Sequence, residues 1–285
     1  MKRKTWLPLL VLVLTLLIFG AYRFYVRHIT DNVAPKITID ESGGMLQISV
    51  RQPEEALLQG VTAQDARDGD VTASVIVESV GNINSLDQVT VVYAAFDQAG
   101  NVTKAQRTVQ YTDYQPPRFS LSAPMAFPYG SHFNVLDYIG AQDQQDGDIR
   151  HRVKAILLDN AAITTEGIHD VHFRVTNSLG DTEELVIPVE VYPVDTYTAK
   201  LSLTNYLVYI PAGSTFNARS YLNTFTLSGE TVSMAGNLPG DIRLEIDGTV
   251  DPQTPGVYPV SFRATKTVGT RTYTGYSKLI VVVEG

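Results

Sequence analysis

The chain is 285 residues long, 44% apolar and 18% charged, with no cysteine and a formal charge of −8. Length and apolar content suffice for more than one packed core, and the lack of cysteine excludes disulfide scaffolds, thiolate zinc sites and cysteine nucleophiles. Charge is uneven: residues 1–30 carry five basic side chains and no acid, while the remaining 17 basic and 30 acidic residues leave −13, a balance that argues against nucleic-acid binding.

The first predicted element is a helix. Thr5–Tyr22, between Lys4 and Arg23, is 18 residues without a charge. At ~1.5 Å per residue it would span ~27 Å, close to the ~30 Å of a hydrocarbon core. Pro8 falls in the first turn, where a missing N–H costs little, and Trp6, Tyr22 and Tyr25 fall where an aromatic belt is expected. A cleaved signal peptide is the rival interpretation. Cleavage after Gly20 or Ala21 would put Ile18 or Phe19 at the −3 position, where a small residue is wanted. Residues 1–30 are therefore read as a cytoplasmic stub and an uncleaved signal anchor, contacting the membrane through residues 5–22. Lys2, Arg3 and Lys4 outnumber Arg23 and Arg27, which places the N-terminus in the cytoplasm and the bulk of the chain outside it.

Beyond the helix the chain repeats. Lys36-Ile-Thr-Ile39, Arg118-Phe-Ser-Leu121 and Lys200-Leu-Ser-Leu203 share one pattern at intervals of 82 residues. Ala63-Gln-Asp65-Ala-Arg-Asp68-Gly69-Asp70 returns as Ala141-Gln-Asp143-Gln-Gln-Asp146-Gly147-Asp148, and Gly130-Ser-His-Phe-Asn134 as Gly213-Ser-Thr-Phe-Asn217. Phe173-Arg174 with Gly180 returns as Phe262-Arg263 with Gly269, and Tyr93 and Gly100 answer in the first unit. A period this long suits small domains rather than a solenoid. Val171, Phe173 and Val175 alternate with polar residues, as do Leu185, Ile187, Val189 and Val191, and as do Tyr258, Val260, Phe262 and Ala264. Period-two alternation marks strands with one buried face. Turn clusters such as Asp68-Gly69 and Asp146-Gly147 separate them. The expected fold is all-β: three tandem immunoglobulin-like β-sandwiches, residues 31–113, 114–194 and 195–285, behind one transmembrane helix. Short proline-bearing links, with Pro116-Pro117 and Pro193, suggest a semi-rigid rod of ~100 Å. Such a rod is too short to clear a thick Gram-positive wall.

Ala63-x-Asp65-x-x-Asp68-Gly-Asp70-Val-Thr72, followed by Tyr93-x-x-Phe-Asp97-x-Ala-Gly-Asn101 and a closing Arg107-Thr-Val109 strand, resembles the bacterial immunoglobulin-like domain of surface and secreted proteins. That type also occurs in insecticidal crystal proteins and is similar to hyalin-repeat modules. The resemblance covers roughly residues 34–285. The first unit lacks the Gly-Ser-x-Phe-Asn marker, the second has Asn177 in place of Asp97, and the third replaces the acidic triplet by Asn237-Leu-Pro-Gly240-Asp241. It implies fold and an extracytoplasmic setting, not an activity.

Two groups stand out as candidate sites. Asp65, Asp68 and Asp70 share a tight turn, and Asp97 would lie at the same end of the sandwich. Carboxylates and loop carbonyls together suit calcium, and no other cofactor is expected. The competing interpretation is that they cap turn N–H groups. Eight of fifteen tyrosines lie at or beyond Tyr192. Tyr273 and Tyr276, flanking Gly275, are the expected exposed pair for contact with a ligand. His169 and His172, three apart on a strand, face opposite ways and cannot share a metal. No Gly-x-Ser-x-Gly elbow or Gly-rich phosphate loop is present, and Asn101-Val-Thr103 is read as a turn asparagine with a strand threonine rather than a glycosylation site. The expected function is that of a non-catalytic surface protein that binds an envelope polysaccharide or protein through its third domain. The alternative is a structural spacer or accessory subunit of a membrane, secretion or polysaccharide-assembly complex.

Overall fold

A computed structural model describes residues 6–157, 163–194 and 196–285. Thr5, where the expected span begins, and the basic residues Lys2, Arg3 and Lys4 lie outside them, as does Asp195 in the second link. The chain divides into two compact units, Met1–Tyr114 and Gln115–Gly285.

Trp6–Ile29 is one continuous α-helix. Its stretch Pro8–Tyr25 is long and apolar enough to cross a membrane, and no part of that stretch is buried inside the protein. Within it Thr15 donates its hydroxyl back to the Val11 carbonyl at 2.5 Å and so leaves no hydroxyl proton for the surroundings to satisfy.

The first unit continues as two facing sheets. One runs Lys36–Ile39, Val61–Asp65, Gly69–Asp70. The other runs Leu46–Ile48, Val102–Tyr111, Gln88–Phe96, Ile76–Val80. Alternation sets the buried faces: Val61, Ala63 and Asp65 point inward from one sheet, Val89, Val91 and Tyr93 from the other. A buried arginine clamps them. Arg107 Nε donates to Tyr93 Oη at 2.8 Å, Nη1 to the Gln59 carbonyl at 2.8 Å and Nη2 to the Leu57 carbonyl at 2.5 Å. Tyr93 Oη in turn donates to Leu57 O at 2.7 Å, which ties the short 3-10 helix Glu54–Leu58 to the sheet.

Residues 118–192 repeat this plan with the same registers. Arg118–Leu121 pairs with Ile139–Asp143 as Lys36–Ile39 pairs with Val61–Asp65. Lys154–Leu157, Gly167–Thr176, Thr182–Tyr192 and Ala126–Pro128 form the second sheet. The repeated Asn of Gly-Ser-x-Phe-Asn has a structural purpose: Asn134 and Asn217 each cap a 3-10 turn, accepting from the N–H two residues on at 3.1 Å.

Residues 199–284 keep the same pairing plan, with one addition. Their strands join into one seven-stranded sheet, because Ala199–Leu203 runs parallel to Arg271–Glu284 at Gly275 and Tyr276. Gly275 permits the approach: a Cβ there would lie 3.1 Å from Phe225 Cε2 and 3.2 Å from Leu201 N. Residues 115–194 and 196–285 pack against one another within the second unit. Strand Arg271–Glu284 is buried on both faces over residues 277–281, with Leu279 and Val281 in the core around Phe225 and Phe262, and Ile280 in the core around Phe119 and Phe173. Leu207 joins the same neighbouring core, and the Phe119 N–H donates to Tyr209 Oη at 2.9 Å.

Candidate functional site

The acidic turn of the first unit is built by an Asp-Gly hairpin in which Gly69 adopts φ 75°. Asp65 Oδ1 accepts the N–H groups of Arg67 at 2.7 Å and Asp68 at 2.9 Å. These backbone bonds outweigh desolvation and hold its carboxyl below the ordinary aspartate range. Asp68 Oδ2 reaches the other loop and accepts from Gln98 N at 2.8 Å, so the two loops do meet. Asp97 Oδ1 accepts from Asn101 N and Oδ2 from Asn101 Nδ2, both at 2.7 Å. Asp70 stands apart from this arrangement. It is exposed, and its Oδ1 accepts from Thr72 N at 2.9 Å. Bonding to Thr72, through hydroxyl and N–H, holds its carboxyl low too. Among the described residues, no three acidic or histidine side chains converge as a ready-made metal cage. Asn101 serves the turn, as expected; its amide also donates to the Asp31 carbonyl at 3.2 Å and the Val33 carbonyl at 3.4 Å.

The expected exposure of the tyrosine pair is corrected by the structure, since Tyr273 and Tyr276 are both half-buried. Tyr276 stacks on Tyr197 at 4.6 Å between ring centroids, and Tyr192 meets Tyr197 edge-on at 4.5 Å. Its hydroxyl donates to Glu190 Oε2 at 2.6 Å, so it is committed to the junction within the second unit. Tyr273 is different. It lines an open cleft of about 380 Å³ with Phe225, Leu227, Val232, Lys266 and Val268, and the Arg271 guanidinium lies 5.5 Å from its ring centroid. The pair was placed in the hairpin by sequence, but only pairing of Ala199–Leu203 against Gly275 and Tyr276 separates a junction residue from a cleft residue. His169 and His172 have separate partners, Thr165 O at 2.7 Å and Glu184 at 3.0 Å.

This sandwich and its motif turn are of the kind found in bacterial surface proteins. Residues 44–110 match the family described as bacterial surface protein, Ig-like domain, and that stretch of the first unit is such a domain. Two curated relatives are each 30% identical: an uncharacterized 81.3 kDa protein of Acholeplasma phage L2, over 54% of this chain, and the pesticidal crystal protein Cry22Aa of Bacillus thuringiensis, over 50%. The chain covers 19% of the length of either one. Among solved structures, cadherin domains 1–5 of protocadherin gamma B2 align over 90% of this chain and 61% of their own, at 13% identity and a TM-score of 0.21. The CBM51-2 and INT domains of Clostridium perfringens ZmpB align over 87% of this chain and 41% of theirs, at 15% identity and a TM-score of 0.22. Scores of 0.21 and 0.22 are too low to carry any property over.

Proposed function

We propose that this chain is a single-pass membrane protein with a cytoplasmic N-terminus, whose extracytoplasmic Ig-like modules, with boundaries near residues 31–113, 114–194 and 195–285, bind an envelope polysaccharide or protein without catalysis. The observation that carries it is a helix whose apolar stretch Pro8–Tyr25 has no protein packed on it, immediately before a domain of the bacterial surface type. Transfer of so many Leu, Val, Ile and Phe side chains from water is strongly favourable, so a bilayer is the natural cover. Contact rather than bond-making fits the acidic loops, where Asp65 Oδ1 and Asp68 Oδ2 are committed to backbone N–H groups. The Tyr273 cleft is the contact surface: a flat aromatic wall with Glu230 and Lys266 at its rim offers both stacking and hydrogen bonds to a sugar ring or a peptide.

Protease shaving of intact cells should digest everything beyond the helix and leave a membrane-retained stub; full protection until lysis overturns the topology. Isolated envelope material should retain the detergent-solubilised protein, and Tyr273→Ala should weaken retention about tenfold. Undiminished retention by that variant moves the contact elsewhere. A spacer or accessory-subunit function is the second interpretation. It is favoured if the solubilised protein leaves envelope material unbound yet co-purifies with a membrane partner.

A further inference from the structure

The two motif turns use the same positions with different chemistry. Asp65 Oδ1 and Asp143 Oδ1 each accept two backbone N–H groups, those of Arg67 and Asp68 in one turn and of Gln145 and Asp146 in the other. Asp68 and Asp146 both cross to the opposite loop, accepting from Gln98 N at 2.8 Å and Ser178 N at 2.7 Å. Asp97 and Asn177 both accept the N–H four residues later, at 2.7 and 2.9 Å. With every backbone bond matched, the residues that differ occupy equivalent places.

In the second turn the carboxylates are answered from within the protein. Asn177 Nδ2 donates to Asp143 Oδ2 at 3.0 Å, and Arg152 Nη1 to Asp146 Oδ2 at 2.6 Å. The first turn has Asp97 and Ser74 at those positions. Ser74 Oγ is engaged elsewhere, donating to Val71 O and accepting from Phe96 N. An ionised Asp97 has no proton to donate. Asp65 Oδ2 is consequently buried with no hydrogen-bond partner, in a residue 7% exposed, while Asp97 is 8% exposed. A buried carboxylate oxygen without a donor is unfavourable, and a second buried carboxylate at the Asn177 position makes it more so.

We propose that a divalent cation of the calcium type takes, in the first turn, the place held in the second by the Asn177 amide, with Asp65 Oδ2 and Asp97 as its carboxylates. Water and loop carbonyls complete the six to eight oxygens such an ion takes, and the irregular loop geometry suits calcium better than octahedral magnesium. Two carboxylates imply weak binding, roughly 10⁻⁴–10⁻³ M, the range of extracellular modules. Asp70 is exposed and turned to the Thr72 N–H, outside the buried pair, and is not a ligand. The cation would join the two loops at one end of the first sandwich and stiffen it.

The test uses the full chain in detergent at neutral pH, with thermal unfolding in EDTA and in millimolar calcium chloride, and calorimetric titration with calcium chloride. Wild type should bind calcium and unfold roughly 5 °C higher with it. Asp97→Asn, which installs the amide of the second turn, should bind at least tenfold more weakly, lose the calcium-dependent rise and keep its stability in EDTA. Asp70→Asn should respond like wild type. No binding by wild type in the titration overturns the proposal whether or not Asp97→Asn folds, and so does an equal calcium-dependent rise in Asp97→Asn.

Discussion

Tyr276 Oη donates to Glu190 Oε2 at 2.6 Å, and that same carboxylate oxygen lies 3.0 Å from Lys278 Nζ. One acid thus joins two side chains of the final strand to the preceding sheet. Burial, reinforced by the bond to Glu190, raises the Tyr276 hydroxyl above its ordinary pKa, so it remains a donor. Lys278 is 4% exposed, so its ammonium depends on this partner for its charge compensation. Glu190→Gln should therefore cost about 3–5 kcal/mol, because it strands a buried cation. Tyr276→Phe should cost about 1 kcal/mol. Urea unfolding of the full chain measures both, and equal losses would refute the charge argument.

Gly275→Ala tests the parallel seam that turns the last strands into one sheet. The added methyl would press on Phe225 and Leu201, and neither the ring nor the strand backbone can retreat within a packed core. Overpacking of this kind costs about 1–3 kcal/mol. The melting temperature should fall; an unchanged value would mean the seam opens readily.

Acid sensitivity should come in part from Asp146. Burial opposes its ionisation, but the Ser178 hydroxyl and N–H and the Arg152 guanidinium outweigh that and hold the carboxyl below its free value of 3.8. A lowered folded-state pKa means this contribution to stability is present above 3.8 and fades as the pH falls through the folded value. Asp146→Asn should flatten the stability profile in that window, read by melting at successive pH values. An unchanged slope would count against it.

At the alkaline end the group to watch is Tyr209. Burial pushes its hydroxyl from 10.0 up to about 12. The raised pKa means no loss below 10.0, where both states are protonated, and a growing loss from there to about 12 as the unfolded chain ionises first. Tyr209→Phe should lower stability at neutral pH, since the Phe119 N–H loses its acceptor, and should reduce the alkaline slope. Denaturant titrations on either side of 10 separate the two effects.

In the first unit, Arg107→Met should destabilise by about 1–3 kcal/mol, because it leaves the Gln59 carbonyl without its donor, while the Leu57 carbonyl keeps the Tyr93 hydroxyl. Arg107→Lys should not rescue it, because a point ammonium cannot reproduce the fork that reaches Tyr93, Leu57 and Gln59 together. Rescue by lysine would show that charge alone suffices.

Much of this architecture was legible beforehand because it is local. Alternation at Val171, Phe173 and Val175, and the Asp-Gly turns at Gly69 and Gly147, announce strands and hairpins from a few adjacent residues. The Asp65 to Asp97 pattern pointed to two loops that meet, since Asp68 bridges them. The division of labour among the four aspartates was not legible. Only the fold shows that Asp70 serves Thr72 while Asp65 keeps an oxygen unanswered. One signal for the joined second unit did exist in the sequence. Leu279-Ile-Val-Val-Val283 is an unbroken apolar run, the mark of a strand buried on both faces, unlike the alternating Leu185 to Val191.

By itself, then, the order of residues settled an apolar helix, a repeated β-rich plan and the loops that carry charge, because period, turn chemistry and hydropathy act within a few positions of one another. Tertiary structure alone decided which partner each buried group meets: Asn177 for Asp143, Glu190 for Tyr276, and the core around Phe173 for Ile280. Those choices depend on contacts between residues 34 to more than 100 positions apart, and no local pattern specifies which side chain will stand opposite another once two sheets close.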